Sequence, residues 1–241
     1  MEYLFSKNVL SPKKGSLIAG YIYWPIYLFG LSLLLVTIFE LCGMSLSTTK
    51  GYTILNLVYF TANFTAVLLI FFPFLRDSLK AAKGNFGQIC ISALLGYGLC
   101  NLLALQIDIF YKLLDIVPEN MNQEAVTSLL NYAPWQMVIC TVIFAPITEE
   151  CLARGLLFGP FAKKVPVLGY ILSCVVFAGI HVVGSIGTMD WLTILLCFVQ
   201  YLPHSIALAW AYHRSGNILA PMLLHAAINL MSVIAEMGGF A

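Results

Sequence analysis

About seven long apolar runs dominate this sequence, each near the length needed to cross the roughly 30 Å hydrocarbon core of a bilayer at about 1.5 Å per helical residue. They fall approximately at residues 18–42, 54–75, 88–106, 135–158, 167–186, 192–212 and 217–237, a pattern compatible with six to eight spans. Inside hydrocarbon the backbone must satisfy its own polar groups, which only helices and closed barrels do. Barrel strands alternate polar and apolar residues, and these runs do not. The expected fold is therefore all-α: a polytopic transmembrane helical bundle, one domain over residues 1–241. Composition agrees, with 61% apolar and 10% charged residues where a soluble domain carries about 25% charged. The expected surroundings are a lipid bilayer. A net charge of +1 with no clustered basic face gives no reason to expect a nucleic-acid partner.

Loop charges orient the chain, because cytoplasmic loops collect Lys and Arg. Placing the N-terminus inside gathers Lys7, Lys13, Lys14, Arg76, Lys80, Lys83, Lys163, Lys164 and Arg214 on one side, leaving Lys50 and Lys112 on the other. The first apolar run is long and lacks a small-residue cleavage signal, so it reads as a first span rather than a signal peptide. Seven scattered cysteines without C-x-x-C spacing read as packing residues, and Gly96 and Gly98 as points of close helix approach. The long loop 107–134 mixes apolar residues with Asp108, Asp115, Glu119 and Glu124. It suggests two short helices broken near Pro118, lying on the outer membrane surface or forming a solvated connector.

Ionisable groups within spans are costly, at about 2.5–3.5 kcal/mol each at the bilayer centre, so the few present are informative. The fourth span contains Glu149-Glu150 and Arg154. Glu150 and Arg154 share a helix face at i,i+4 spacing with the acid first, the better orientation for a pair. Glu149 lies about 100° away around the helix, which leaves it free for chemistry. The fifth span sets Phe177 and His181 on one face, and the seventh does the same with His225 and Asn229. A structural ion network could explain the acids and the arginine alone. Two further histidines and an amide deep in separate spans are harder to explain that way. Glu40 reads as an end residue that reaches headgroups, His204 after Pro203 as structural although it could line the same cavity, and His213 beside Arg214 as solvated.

A glutamate, two histidines and an amide are the parts of a hydrolase: a base for water, a group to position it, and donors for an oxyanion. The same residues could instead hold a divalent metal such as zinc through His181, His225 and Glu149, with one position open to water. Neither H-E-x-x-H nor G-x-S-x-G occurs, so a site of this kind would have to be assembled from separate spans.

Glu149-Glu150-x-x-x-Arg154, Phe177-x-x-x-His181 and His225-x-x-x-Asn229, in this order on successive helices, resemble the motifs of the CAAX protease and bacteriocin-processing family of intramembrane endopeptidases, the type II CAAX prenyl endopeptidase-like proteins. The stretch Ser215 to Pro221 is similar to that family's entry into its last motif helix. The resemblance implies a catalytic core over residues 134–230 and peptide-bond hydrolysis, with Glu149 and His181 activating water, His225 and Asn229 meeting the oxyanion, and Glu150 with Arg154 as an orienting pair. It further implies a bacterial cell-membrane enzyme, labelled a metalloprotease in many members. Its substrate would be a membrane-associated peptide or protein, prenylated in the eukaryotic cases. The competing expectation is a non-proteolytic immunity or regulatory protein of the same fold that binds a peptide or sensor kinase. A proton-coupled transporter fits less well, since no inverted repeat is visible. Oligomeric state is not legible in the sequence.

Overall fold

The computed structural model describes residues 5, 6, 8–116 and 120–238. The expected break near Pro118, with Glu119 and Lys7, lies outside them. Among the described residues the chain is helical, with one isolated bridge between Ile186 and Met189. The helices are α1 (Lys14–Leu41), α2 (Thr49–Ala82), α3 (Phe86–Leu113), α4 (Met121–Tyr132), α5 (Pro134–Phe158), α6 (Pro166–Ser185), α7 (Trp191–Ser215) and α8 (Leu219–Gly238). All but α4 are long and apolar enough to cross a membrane.

Local chemistry sets the helix ends. Thr48 caps α2 by accepting from the Gly51 amide, and Asp190 caps α7 by accepting from Leu192 and Thr193, both at 3.0 Å. The Asp190 carboxyl is held below the usual range by these bonds and by the Thr193 hydroxyl. Pro134 and Pro166 open α5 and α6, where a missing N–H costs nothing. Several helices run past the apolar windows, α2 through Asp77 and Lys80 to Ala82, because a helix continues into water as long as its own hydrogen bonds hold.

Side-chain size decides the packing. α7 lies between α3, α6 and α8, and its Ala207, Leu208, Ala209, Ala211 and Tyr212 are wholly buried. Gly96 on α3 admits α8 so closely that a Cβ there would stand 2.6 Å from Leu224 Cδ2. Gly98 has no such neighbour, so the expected close approach holds for Gly96 alone. The outward faces carry Leu33, Leu69, Leu94, Ile171 and Leu195, each more than half exposed, as suits lipid contact. The cysteines are free thiols, five buried and two (Cys42 and Cys90) exposed.

Two expectations are corrected. His213 is buried, not solvated: Phe5 stacks on its ring at 4.3 Å and the Tyr170 hydroxyl meets Nδ1 at 3.3 Å. The cover comes from residues 5, 6 and 8–12, which lie across the end of the bundle where α7 turns into α8. There Ser6 N–H donates to His213 O, Leu10 N–H to Gly216 O, and Tyr212 to Leu10 O. Gly216 fits because its φ of +71° suits glycine and because a Cβ would stand 2.8 Å from Asn8 O. The other correction concerns loop 107–134, whose second helix α4 is not a free solvated connector but packs one face against the bundle. Leu129 and Leu130 are nearly fully buried with Met137, Cys140 and Val233, which tucks α4 into the opposite end of the bundle.

Candidate active site

The site begins with an irregularity in α5, whose Cys140–Phe144 and Cys151–Phe158 segments are π-helical. In the first segment the Ala145 amide reaches back five residues to Cys140 O. The corresponding partner for Thr141 O would be residue 146, a proline without an N–H. The orphaned carbonyl accepts instead from Asn229 Nδ2 of α8 at 2.7 Å. Asn229 thus ties α8 to α5 and keeps a second amide hydrogen for the cavity it lines.

Adjacent carboxylates then take different places. Glu150 and Arg154 are completely buried and joined at 3.1 Å. Arg154 Nη2 also donates to the backbone oxygen and hydroxyl of Ser205, at 2.9 and 3.0 Å, and the guanidinium lies over the Phe177 ring at 4.3 Å. The oxygen that binds Arg154, Glu150 Oε1, also accepts from His225 Nδ1 at 2.9 Å. Glu150 and Arg154 therefore stand behind His225 and do not line the cavity.

Glu149 faces the cavity. Its Oε2 lies 3.8 Å from His181 Nε2 and 3.9 Å from His225 Nε2, and it has no hydrogen-bond partner among the described residues. The ring tautomers follow from the opposite nitrogens. His181 Nδ1 lies 2.8 Å from the Phe177 carbonyl oxygen, which can only accept, and His225 Nδ1 faces a carboxylate. With both rings neutral, each Nε2 turns a lone pair toward Glu149. Three acceptors meeting at separations too long for direct bonds define a position for a molecule that supplies hydrogens.

A metal fits less well. Tetrahedral zinc with bonds of about 2.0–2.1 Å holds its ligand atoms about 3.3 Å apart, closer than the 3.8 and 3.9 Å found here. Among the described residues no three His, Cys, Asp or Glu side chains are disposed to hold a metal ion. The expected set of Glu149, His181 and His225 is thus brought together, at separations wider than tetrahedral zinc spans.

The cavity encloses about 400 Å³ and runs from Glu149 toward the α4 end. Several of its residues were not singled out in the sequence. Tyr201 stacks on His181 at 4.4 Å, donates to Asn120 Oδ1 and accepts from Asn122 Nδ2, both at 3.1 Å. Asn120 also caps α4 through the Gln123 amide, so the mouth helix is linked through Tyr201 to the site histidine. His204, expected to be structural, lines the cavity with Asp108 and Gln200. His204 stood out as an ionisable group within a span, whereas Tyr201 offered only its i,i+3 spacing from His204 on α7, too common to stand out.

With this geometry in view, the motif segment can be set beside known proteins. Residues 131–231 match the Rce1-like family, type II CAAX prenyl endopeptidase. The matched stretch holds every motif residue and most of the cavity wall outside α3. The chain is 32% identical to UPF0177 protein YbdI of Lactococcus lactis over 127 residues, 52% of this chain and 62% of that protein. It is 24% identical to "Putative membrane peptidase YdiL" of Bacillus subtilis over 186 residues, 76% of this chain and 71% of that protein. It therefore spans less than two thirds of YbdI. No solved structure matches it. The Rce1-like match covers less than half of the chain, so the motif segment is similar to that family, and the seven long apolar helices make the chain a multi-pass membrane protein.

Proposed function

We propose that this protein is an intramembrane endopeptidase of a bacterial cell membrane that cleaves a membrane-associated peptide or protein with water activated by Glu149. The reading rests on one observation above all: a cavity-facing carboxylate with no hydrogen-bond partner among the described residues, flanked at nearly equal distance by the Nε2 atoms of two imidazoles whose Nδ1 atoms are held. A water held there donates one hydrogen to Glu149 and one to a histidine. Glu149 takes the first as the oxygen attacks the scissile carbonyl, then returns it to the leaving amine. The second N–H of Asn229 faces the oxygen that gains charge. His225, held at Nδ1 by Glu150, stands beside the same water and fixes its orientation. Depth constrains the substrate. Glu149 lies fifteen residues from the start of α5 and nine from its end, about 22 Å and about 13 Å at about 1.5 Å per residue, so from either side the scissile bond must enter the membrane region and an anchored substrate is favoured.

The test is cleavage of acyl-anchored peptides by purified protein in proteoliposomes. Glu149→Gln is expected to lower turnover by at least about 10²-fold, the usual contribution of a general base, with an unchanged melting temperature. Turnover should also survive exhaustive chelation. Full activity in Glu149→Gln would refute the role of the carboxylate. Activity lost to chelator and restored by zinc would refute metal-free activation of the water.

A further inference from the structure

The two ends of the bundle differ in access to the site. At the end where α7 turns into α8, the core is continuous: Leu156, Phe158, Tyr212 and Ile218 are wholly buried, and Val9 of the segment crossing that end is 3% exposed. Backbone hydrogen bonds from Ser6 and Leu10 tie this segment to His213 and Gly216. The cavity runs the other way. Asp108, Asn122, Gln123 and Ser232 line it, and all lie near the ends of α3, α4 and α8 remote from that seal. The sealed end carries Lys13, Lys14, Arg76, Lys80, Lys83, Lys163, Lys164 and Arg214, whereas the open end carries only Lys50 and Lys112. A bias of that size puts the sealed end in the cytoplasm and the mouth outside.

Charge within the cavity points to what enters. Asp108 and Glu149 contribute carboxylates to the lining, and no lysine or arginine joins them among the described residues. Glu236 stands behind Gln123, accepting from its Nε2 at 2.9 Å. Asp108 forms no ion pair among the described residues. Glu149 Oε2 at the floor is buried and has no hydrogen-bond partner among the described residues, so its charge is left to the cavity. A cleft with walls of one sign raises the local concentration of the opposite charge.

We infer that the site is fed from the extracytoplasmic face and takes a positively charged peptide segment, which the acidic mouth draws beneath α4 toward Glu149. This inference rests on the peptidase reading only for the fate of the segment. The direction of entry and the sign of charge are independent of it.

Both can be measured without turnover. In a background with the exposed thiols removed (Cys42→Ser, Cys90→Ser), Ser232→Cys places a thiol on the cavity wall away from the proposed chemistry. Intact cells receive either of two membrane-impermeant methanethiosulfonates, one bearing trimethylammonium and one bearing sulfonate. The cationic reagent is expected to react from outside at least about tenfold faster than the anionic one, the lower end of electrostatic focusing in clefts. Asp108→Asn should narrow that ratio, and neither reagent should reach the cysteine from the cytoplasmic face of inverted vesicles. Reaction from the cytoplasmic face alone, or equal rates for the two reagents, would overturn the inference. A parallel arm adds acyl-anchored peptides with lysine or glutamate beside the anchor to right-side-out vesicles, and the lysine peptide should be cut faster. Labelling as expected with neither peptide cut would uphold the direction of entry while refuting proteolysis. Faster cleavage of the glutamate peptide would overturn the charge preference.

Discussion

Replacing Glu150 by glutamine tests the division of labour between the two adjacent carboxylates. Glu150 is completely buried and gathers both bonds on one oxygen, from Arg154 Nη1 at 3.1 Å and His225 Nδ1 at 2.9 Å. Glutamine keeps the shape and an accepting oxygen but removes the negative charge that faces a wholly buried guanidinium. Breaking a buried pair by removing one partner costs about 3–5 kcal/mol. Here the Ser205 oxygens and the Phe177 ring still hold Arg154, so the lower figure, about 3 kcal/mol, is expected. Glu149→Gln should change stability by less than about 1 kcal/mol, because its nearest basic atoms at 3.8 and 3.9 Å are beyond hydrogen-bonding range. Adding Arg154→Met to Glu150→Gln removes the orphaned charge and should recover most of the loss, a coupling of about 2 kcal/mol or more. Equilibrium unfolding in mixed micelles, followed by far-UV circular dichroism, measures all four proteins. A Glu150→Gln protein as stable as the parent, or a Glu149→Gln protein equally destabilised, would refute the assignment of the structural role to Glu150 and the chemical one to Glu149.

Two further outcomes follow from backbone groups. Asn229→Ala leaves the Thr141 carbonyl without a side-chain donor among the described residues and should cost about 1–3 kcal/mol, read in the same unfolding assay. Asn229→Asp should not rescue it, since an ionised carboxylate cannot donate. Gly216→Ala forces a side chain into a left-handed conformation costing about 1–2 kcal/mol and drives it against Asn8 O. Faster tryptic cleavage at Lys13 and Lys14 in inverted vesicles would report the loosened segment, and unchanged cleavage would deny it a sealing role.

The spans were legible because their cause is local: an unbroken apolar run of sufficient length has no alternative in lipid. Their ends were less so, since helices such as α2 continue past the apolar window into charged residues, where nothing in composition marks the last turn. His213 shows a different limit. Its neighbour Arg214 suggested solvent, but its burial is made by Phe5 and by residues some two hundred positions away, which no pattern within α7 records. Likewise α4 carries its own amphipathic signal, which could not tell a membrane surface from the interior of the bundle.

The site divides along the same line. The Glu150 and Arg154 pair could be read from i,i+4 spacing, and Glu149 was separated from it by helix rotation, because both relations lie within one turn of one helix. Ser205, which completes the arginine's coordination from α7, could not be read, since a serine in an apolar helix has many uses. Tyr201 and Asn120 were hidden for the same reason. The two histidines were visible as costly residues, but their roles depend on what holds Nδ1, a backbone carbonyl for His181 and the neighbouring acid for His225. That second bond changes the meaning of the motif. The first acid of the pair faces the cavity directly, while the second acts at one remove, through the ring it orients. Two chemically identical side chains therefore differ in what their loss should do, one stopping chemistry in an intact fold and the other disturbing the fold that supports it.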